Sequence, residues 1–166
     1  MPRIMGVNLG AALAAAIAMY VVGFLFYGLV FGDLWTRELL EDRGIVAQGA
    51  ASALSTAELE GAMRQLPQNF PVSFGMALGF VISLVSAIAL AAVLNLVKPA
   101  SLGASLGIAV LLWAGFAVTT AAYDPVYAGA SPTMYAIDFF HMLCGYLAGA
   151  ATIHLIDARN WRTSAA

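Results

Sequence analysis

Apolar residues fill four long stretches of the chain, at residues 9–30, 72–97, 102–122 and 134–156. Even the shortest, 102–122, has 21 residues. At a rise of about 1.5 Å per residue, each stretch is long enough to cross a hydrocarbon core about 30 Å thick as an α-helix. The stretches lack the alternation of apolar and polar residues that is typical of barrel strands. The pattern therefore predicts an all-α integral membrane protein, a four-helix bundle that forms a single domain over residues 1–166.

The longest polar segment, residues 33–71, connects the first two apolar stretches. Its first part has a helical stripe of apolar residues around Trp35 and Leu39. Its second part has Ser55 followed by Glu58, which is the spacing of a capping box at the start of a helix. The segment is predicted to form two short helices that lie at the membrane interface.

Composition agrees with a membrane protein, because 62% of the residues are hydrophobic, 10% are charged and the mean hydropathy is +0.89. Of the 7 Lys or Arg and 9 Asp or Glu residues, all but Asp138 lie outside the four stretches. The net charge of −2 offers no basic surface for nucleic acid, so the expected partner is the lipid bilayer. Cys144 is the single cysteine, which excludes an intrachain disulfide. The chain lacks the Cys/His spacing of a metal site and a Gly-rich phosphate loop, and we expect neither a metal nor a cofactor.

Small residues recur at every fourth position of the second stretch and are typical of helices that pack closely in membranes. A similar pattern occurs in the fourth stretch. The residues predicted to form these packing faces are Gly75, Gly79, Ser83, Gly145 and Gly149. The four helices have more such faces than the contacts within one chain require. The protein is therefore expected to form a homodimer or to join a larger membrane-protein complex.

Asp138 is the leading candidate for a functional residue, because ionisable groups inside membrane spans are costly and face the interior of a bundle. His141 lies one helical turn away on the same face. An antiparallel path through four spans brings further polar and aromatic residues to the same side of the membrane, namely Tyr27, Trp35, Phe70, Thr119, Thr120, Tyr123 and Asp124. Two interpretations remain open: a hydrogen-bond network that fixes helix rotation, or a site that binds a small ligand or handles protons. No residue is assigned a catalytic role.

His154 and Asp157 are three residues apart near the end of the fourth stretch, close to Arg159 and Trp161. The pattern predicts a helix end at the membrane interface, with basic groups near the helix C-terminus and Trp161 among the headgroups. His141 and His154 would be about 20 Å apart on one helix, too far to bind the same haem within one chain.

Two blocks of sequence resemble a known family. The first is Gly23-Phe-Leu-Phe-Tyr-Gly-Leu-Val-Phe-Gly-Asp-Leu-Trp35, and the second is Trp113-Ala-Gly-Phe-Ala-Val-Thr-Thr120 with Tyr123. Together they resemble the bacterial membrane family catalogued as domain of unknown function 1761. The resemblance implies a small four-span protein and implies no activity. It adds Trp113 to the candidate site residues.

The distribution of basic residues gives a weak orientation signal. Arg3, Lys98, Arg159 and Arg162 fall on one side of the membrane, and Arg37, Arg43 and Arg64 on the other. We therefore expect both termini to lie in the cytoplasm, and the resemblance to a bacterial membrane family implies a multi-pass protein of the bacterial inner membrane.

Three classes of function are compatible with these patterns. The first choice is an accessory or assembly subunit that packs against other membrane proteins or against itself. The alternative is a carrier or sensor with a site for a small ligand or a proton around Asp138 and His141. A membrane enzyme ranks last, because one Asp-His pair does not define a reaction.

Overall fold

The computed structural model describes residues 3–4, 6–67 and 71–163, so Phe70 lies outside the described residues. A two-strand antiparallel hairpin, β1 (Arg3–Ile4) and β2 (Val7–Asn8), precedes the helices. The α-helices in chain order are α1 (Leu9–Leu25), α2 (Gly32–Asp42), α3 (Thr56–Met63), α4 (Val72–Val97), α5 (Leu102–Leu112), α6 (Thr119–Ala121) and α7 (Pro132–Thr163). π-Helical turns occupy Phe26–Val30, Trp113–Val118 and Asp124–Ala128, and a 3₁₀ turn occupies Ala51–Ala53.

Four continuous helical segments are long and apolar enough to cross a membrane: Leu9–Val30, Ser73–Val97, Leu102–Ala128 and Pro132–Ala158, called here the first to fourth spans. The prediction of an all-α fold with four spans is confirmed. The third span is longer than expected, because the chain stays helical to Ala128 instead of forming a loop from residue 123. Pro125 is the second residue of the π-helical segment Asp124–Ala128 at the end of this span.

The first and fourth spans form the centre of the bundle. Helix α1 packs most extensively on α7 and next on α4, whereas α5 packs mainly on α7. Although α4 and α5 are neighbours in sequence, they contact each other only sparsely. The second and third spans therefore diverge on one side of the bundle.

The core lies where the first, second and fourth spans meet. Gly149 is central to it, since a Cβ atom at this position would lie 3.1 Å from the sulfur of Met19 and 3.3 Å from a methyl carbon of Leu90. Contacts this close favour glycine, and they bring the helix backbones together for dispersion contact that lipid does not supply. Buried residues of the second span continue this core towards the chain termini: Ala87, Leu90, Ala91 and Leu94.

The predicted packing residues occupy unlike environments. A Cβ at Gly79 would lie 3.6 Å from the ring of Tyr20, and Ser83 donates a hydrogen bond to the Gly79 carbonyl of its own helix. Gly75 is exposed and Gly145 is buried, yet a Cβ at either position would meet no described atom within 4 Å. The second span therefore packs closely near the chain termini and separates from the bundle at its other end.

Residues 32–66 fold into a small unit, called here the cap. Helices α2 and α3 enclose a minor core of Leu40, Leu59 and Ala62. Both short helices are confirmed, and so is the capping box, in which Ser55 and Glu58 exchange hydrogen bonds. The cap is joined to the start of α7 by Ser131, whose amide donates to Asp42 at 2.9 Å and whose hydroxyl donates to Glu38.

Candidate functional site

A cluster of polar and aromatic side chains lies where the first span turns into the cap. Tyr27 belongs to the π-helical turn at Phe26–Val30, and such turns are frequent at functional sites. The Tyr27 hydroxyl donates to Oδ1 of Asp138 at 2.5 Å. The indole Nε1 of Trp35, in α2, donates to the same oxygen at 3.1 Å. One carboxylate oxygen thus joins the first span, the fourth span and the cap.

His141 extends the cluster towards the middle of the membrane. Its Nδ1 lies 3.3 Å from the Tyr27 hydroxyl, and its ring centroid lies 4.9 Å from that of Tyr27. Tyr27 has one hydroxyl proton, which it donates to Asp138, so its oxygen accepts the hydrogen bond from Nδ1–H of His141. The three side chains therefore form a relay from His141 through Tyr27 to Asp138.

Two glycines allow these side chains to meet. A Cβ at Gly23 would lie 3.1 Å from Nε2 of His141, so the absence of a side chain lets the imidazole sit against the first span. A Cβ at Gly32 would collide with the backbone carbonyl of Tyr27, so glycine is required where the π-helical turn enters α2. Gly23, Tyr27, Gly32 and Trp35 all lie in the first of the two sequence blocks described above.

The family model for DUF1761, a protein family of unknown function, matches residues 10–154 of the chain. The match includes both sequence blocks and all four spans except their outermost residues. The chain belongs to the DUF1761 family. No curated protein and no solved structure matches it, so membership of DUF1761 brings no known activity with it.

Trp113, from the second sequence block of this DUF1761 protein, attaches the third span to the fourth. Its indole Nε1 donates to the backbone carbonyl of Phe139 at 2.9 Å. Phe139 is next to Asp138 in sequence, so Trp113 fixes the third span at the level of the cluster without contacting the carboxylate.

Other candidates lie outside the cluster. Thr119 donates to the carbonyl of Gly115 in its own helix at 2.7 Å, and Thr120 is exposed. Tyr123 is 65% exposed and its ring lies beside that of Tyr127. Asp124 accepts a hydrogen bond from Tyr135. Thr119, Thr120 and Tyr123 were expected near Asp138, but the third span joins the bundle mainly through the fourth and turns these side chains away.

A second polar cluster, at the other end of the bundle, is more deeply buried. Asn8 donates to Asp157 at 2.9 Å, and the Ser105 hydroxyl lies 2.7 Å from Nδ1 of His154. The Trp161 ring lies 5.7 Å from that of His154. His154 and Asp157 are only 9% and 5% exposed, so both side chains are enclosed by the bundle at the end of the fourth span.

Asn8 and Ser105 belong to this second cluster and were not predicted from the sequence. Asn8 had one available signal: an Asn directly before an apolar run is typical of a helix N-cap, and its side chain does accept from the amides of Gly10 and Ala11. Ser105 had no signal, because a small residue inside a span is usually a packing residue. Within the described residues, no three His, Cys, Asp or Glu side chains are grouped as metal ligands.

Proposed function

We propose that this DUF1761 protein is a membrane sensor that takes up a proton at the cluster of Asp138, Tyr27, His141 and Trp35 and transmits the change to its cap. The observation that supports the proposal is the double hydrogen bond to Asp138 Oδ1, from Tyr27 in the first span and from Trp35 in the cap.

In the described part of the chain, the donors to Asp138 are Tyr27 and Trp35, and no Lys or Arg side chain forms an ion pair with it. A charged residue in a membrane span costs about 2.5 to 3.5 kcal/mol even on insertion scales. Neutral donors and the neighbouring imidazole offset this cost. A proton added to Asp138 removes the net charge of the cluster, which makes the cluster chemically suited to respond to pH.

Protonation has a direct structural consequence for the cap. Hydrogen bonds to an ionised carboxylate are roughly twice as strong as those between neutral groups. When Asp138 gains a proton, the bond from Trp35 weakens, and α2 loses one of its links to the fourth span. Protonation inside the span thereby loosens the attachment of the cap at the membrane surface.

The indole N–H resonances of Trp35 and Trp113 test this proposal in ¹⁵N-labelled protein in lipid nanodiscs. The proposal predicts that the Trp35 resonance moves with pH, because its acceptor is the carboxylate proposed to take up the proton. Trp113 is the internal control, since it donates to a backbone carbonyl. In Asp138→Asn the amide oxygen keeps an acceptor for Trp35, and the pH response is expected to vanish. A Trp35 titration that survives in Asp138→Asn would overturn the proposal.

A second candidate function is that of an accessory or assembly subunit. It is supported by the third span, because only 11% of the most apolar part of that helix is buried against the rest of the chain. Gly107 and Gly115 on this span have open space beside them. A second copy or another membrane protein could pack there. Native mass spectrometry from nanodiscs tests this, with Gly107→Leu expected to dissociate a complex. A monomer in both wild type and variant would exclude self-assembly.

We infer from the distribution of basic residues that both termini lie in the cytoplasm, and from the family resemblance that the membrane is the bacterial inner membrane. Reporter fusions after Ala50 and Ala166 test the topology, because four spans place these positions on opposite sides. Reports from the same side would contradict four spans, and opposite reports with the reverse orientation would contradict only the cytoplasmic termini.

A further inference from the structure

A cleft of about 160 Å³ lies on the far side of His141 from the cap, between the diverging second and third spans. Its back is formed by the fourth span, with Gly145, Met142 and Tyr146 beside His141, and its floor by Met19 of the first span. Ile82, Ser83 and Ser86 of the second span and Ala117 of the third complete the lining.

The cleft lies near the middle of the membrane and opens sideways to lipid. His141 is nine residues into the fourth span, about 14 Å from its first residue at 1.5 Å per residue. Ile82, at one edge of the cleft, is 66% exposed. Since α4 and α5 contact each other only sparsely, the gap between them connects the cleft to the acyl-chain region.

The cleft offers both space and polar groups. Gly145 is buried, yet a Cβ there would meet no described atom within 4 Å. Ser86 and Tyr146 line the cleft, and their hydroxyl groups make no hydrogen bond with any described residue. The interior of a membrane holds little water that could bond them instead. His141 adds its imidazole ring to the lining.

We infer that the cleft binds a lipid-soluble compound with a single aromatic ring and a hydroxyl group, of the phenol or quinol type. A dry cavity of about 150 Å³ accommodates benzene in another protein, so the volume suits one ring. The apolar lining covers the ring, and the hydroxyl satisfies polar groups of Ser86, Tyr146 or His141. The inference deepens the proposed function and rests on it, because His141 belongs to both the proton-responsive cluster and the cleft.

Binding of 4-fluorophenol to the protein in nanodiscs, followed by ¹⁹F NMR, tests the inference. We expect saturable binding that unlabelled phenol displaces, and fluorobenzene is expected to bind about fivefold more weakly or worse for want of a hydrogen bond. Gly145→Leu fills the cleft and should abolish saturable binding. Gly75→Leu, the same change at an exposed position of a span, is the matched control and should bind like wild type.

Ala117→Leu narrows the cleft from the third span and keeps the test decisive if Gly145→Leu does not fold. Saturable binding that persists in both cleft variants, or equal affinity for fluorobenzene, would overturn the inference. A second copy of the chain cross-linked into the cleft would overturn it as well. The pH dependence of the Trp35 resonance, measured in the same samples, separates the two proposals. If the wild-type protein shows this pH dependence but does not bind 4-fluorophenol, the ligand inference is refuted. If it binds 4-fluorophenol but the Trp35 resonance does not change with pH, the proton sensor is refuted.

Discussion

The hydroxyl of Tyr27 and Oδ1 of Asp138 lie 2.5 Å apart, although 111 residues separate them in the sequence. The contact joins the end of the first span to the start of the fourth, and Trp35 adds the cap to the same oxygen. The hydrogen bonds to this oxygen therefore hold the first span, the fourth span and the cap together.

Removing the Tyr27 hydroxyl is expected to destabilise the protein. In Tyr27→Phe the carboxylate keeps only the Trp35 donor, and a hydrogen bond to a charged group contributes about 1.5 to 3 kcal/mol. Equilibrium unfolding in mixed micelles measures the free energy of unfolding. Tyr123→Phe is the control, because that side chain is exposed and distant from Asp138. Equal stability of the two variants would mean that the contact adds nothing.

A methyl group at Gly149 is expected to disrupt the core. In Gly149→Ala the new Cβ falls 3.1 Å from the Met19 sulfur, and overpacking of this kind costs about 1 to 3 kcal/mol. The same measurement on Gly107→Ala should show no loss, since that position has open space. A wild-type unfolding midpoint for Gly149→Ala would show that Met19 and Leu90 can move aside freely.

The contribution of the buried hydrogen bond from Asn8 to Asp157 can be measured separately from the helix cap that Asn8 also forms. Asn8→Ser keeps an oxygen for the amides of Gly10 and Ala11 but loses the donor to Asp157, so a loss of about 1 to 3 kcal/mol is expected. Asn8→Asp keeps the cap but places a second carboxylate beside Asp157. Its larger loss at neutral pH should diminish as the pH falls and one carboxylate is protonated. Thermal unfolding across pH measures both effects, and a pH-independent loss in Asn8→Asp would contradict the charge repulsion.

The capping box of the cap should depend on pH. The hydrogen bonds from the Ser55 hydroxyl and amide lower the pKa of Glu58 below its ordinary value. A lowered folded-state pKa means that the stabilisation is complete above the unfolded value and is lost as the pH falls through the folded one. At neutral pH, Glu58→Ala should therefore accelerate hydrogen exchange at the start of α3 relative to wild type, and the difference should vanish in acid. Glu60→Ala, on the same helix but outside the box, is the control. Acceleration that is independent of pH would indicate loss of packing instead.

The sequence alone determined the positions of the helices along the chain and the number of spans. Four apolar runs require helices in lipid because each backbone group must be bonded within its own segment. The two cap helices followed from an apolar stripe and from the spacing of Ser55 and Glu58. An even number of antiparallel spans assigned Tyr27, Trp35 and Asp138 to one membrane face, but it assigned Thr119 and Tyr123 to that face as well.

The choice among those residues was made only by the tertiary structure. Which spans are neighbours, and how each is rotated, depends on side-chain packing between distant segments, such as Met19 and Leu90 around Gly149. That packing put Tyr27 and Trp35 on Asp138, left Tyr123 exposed, and buried His154 and Asp157 with Asn8 and Ser105. Lipid is as apolar as the residues of a span, so hydrophobicity specifies which segments enter the membrane but does not distinguish the face that meets lipid from the face that meets another helix.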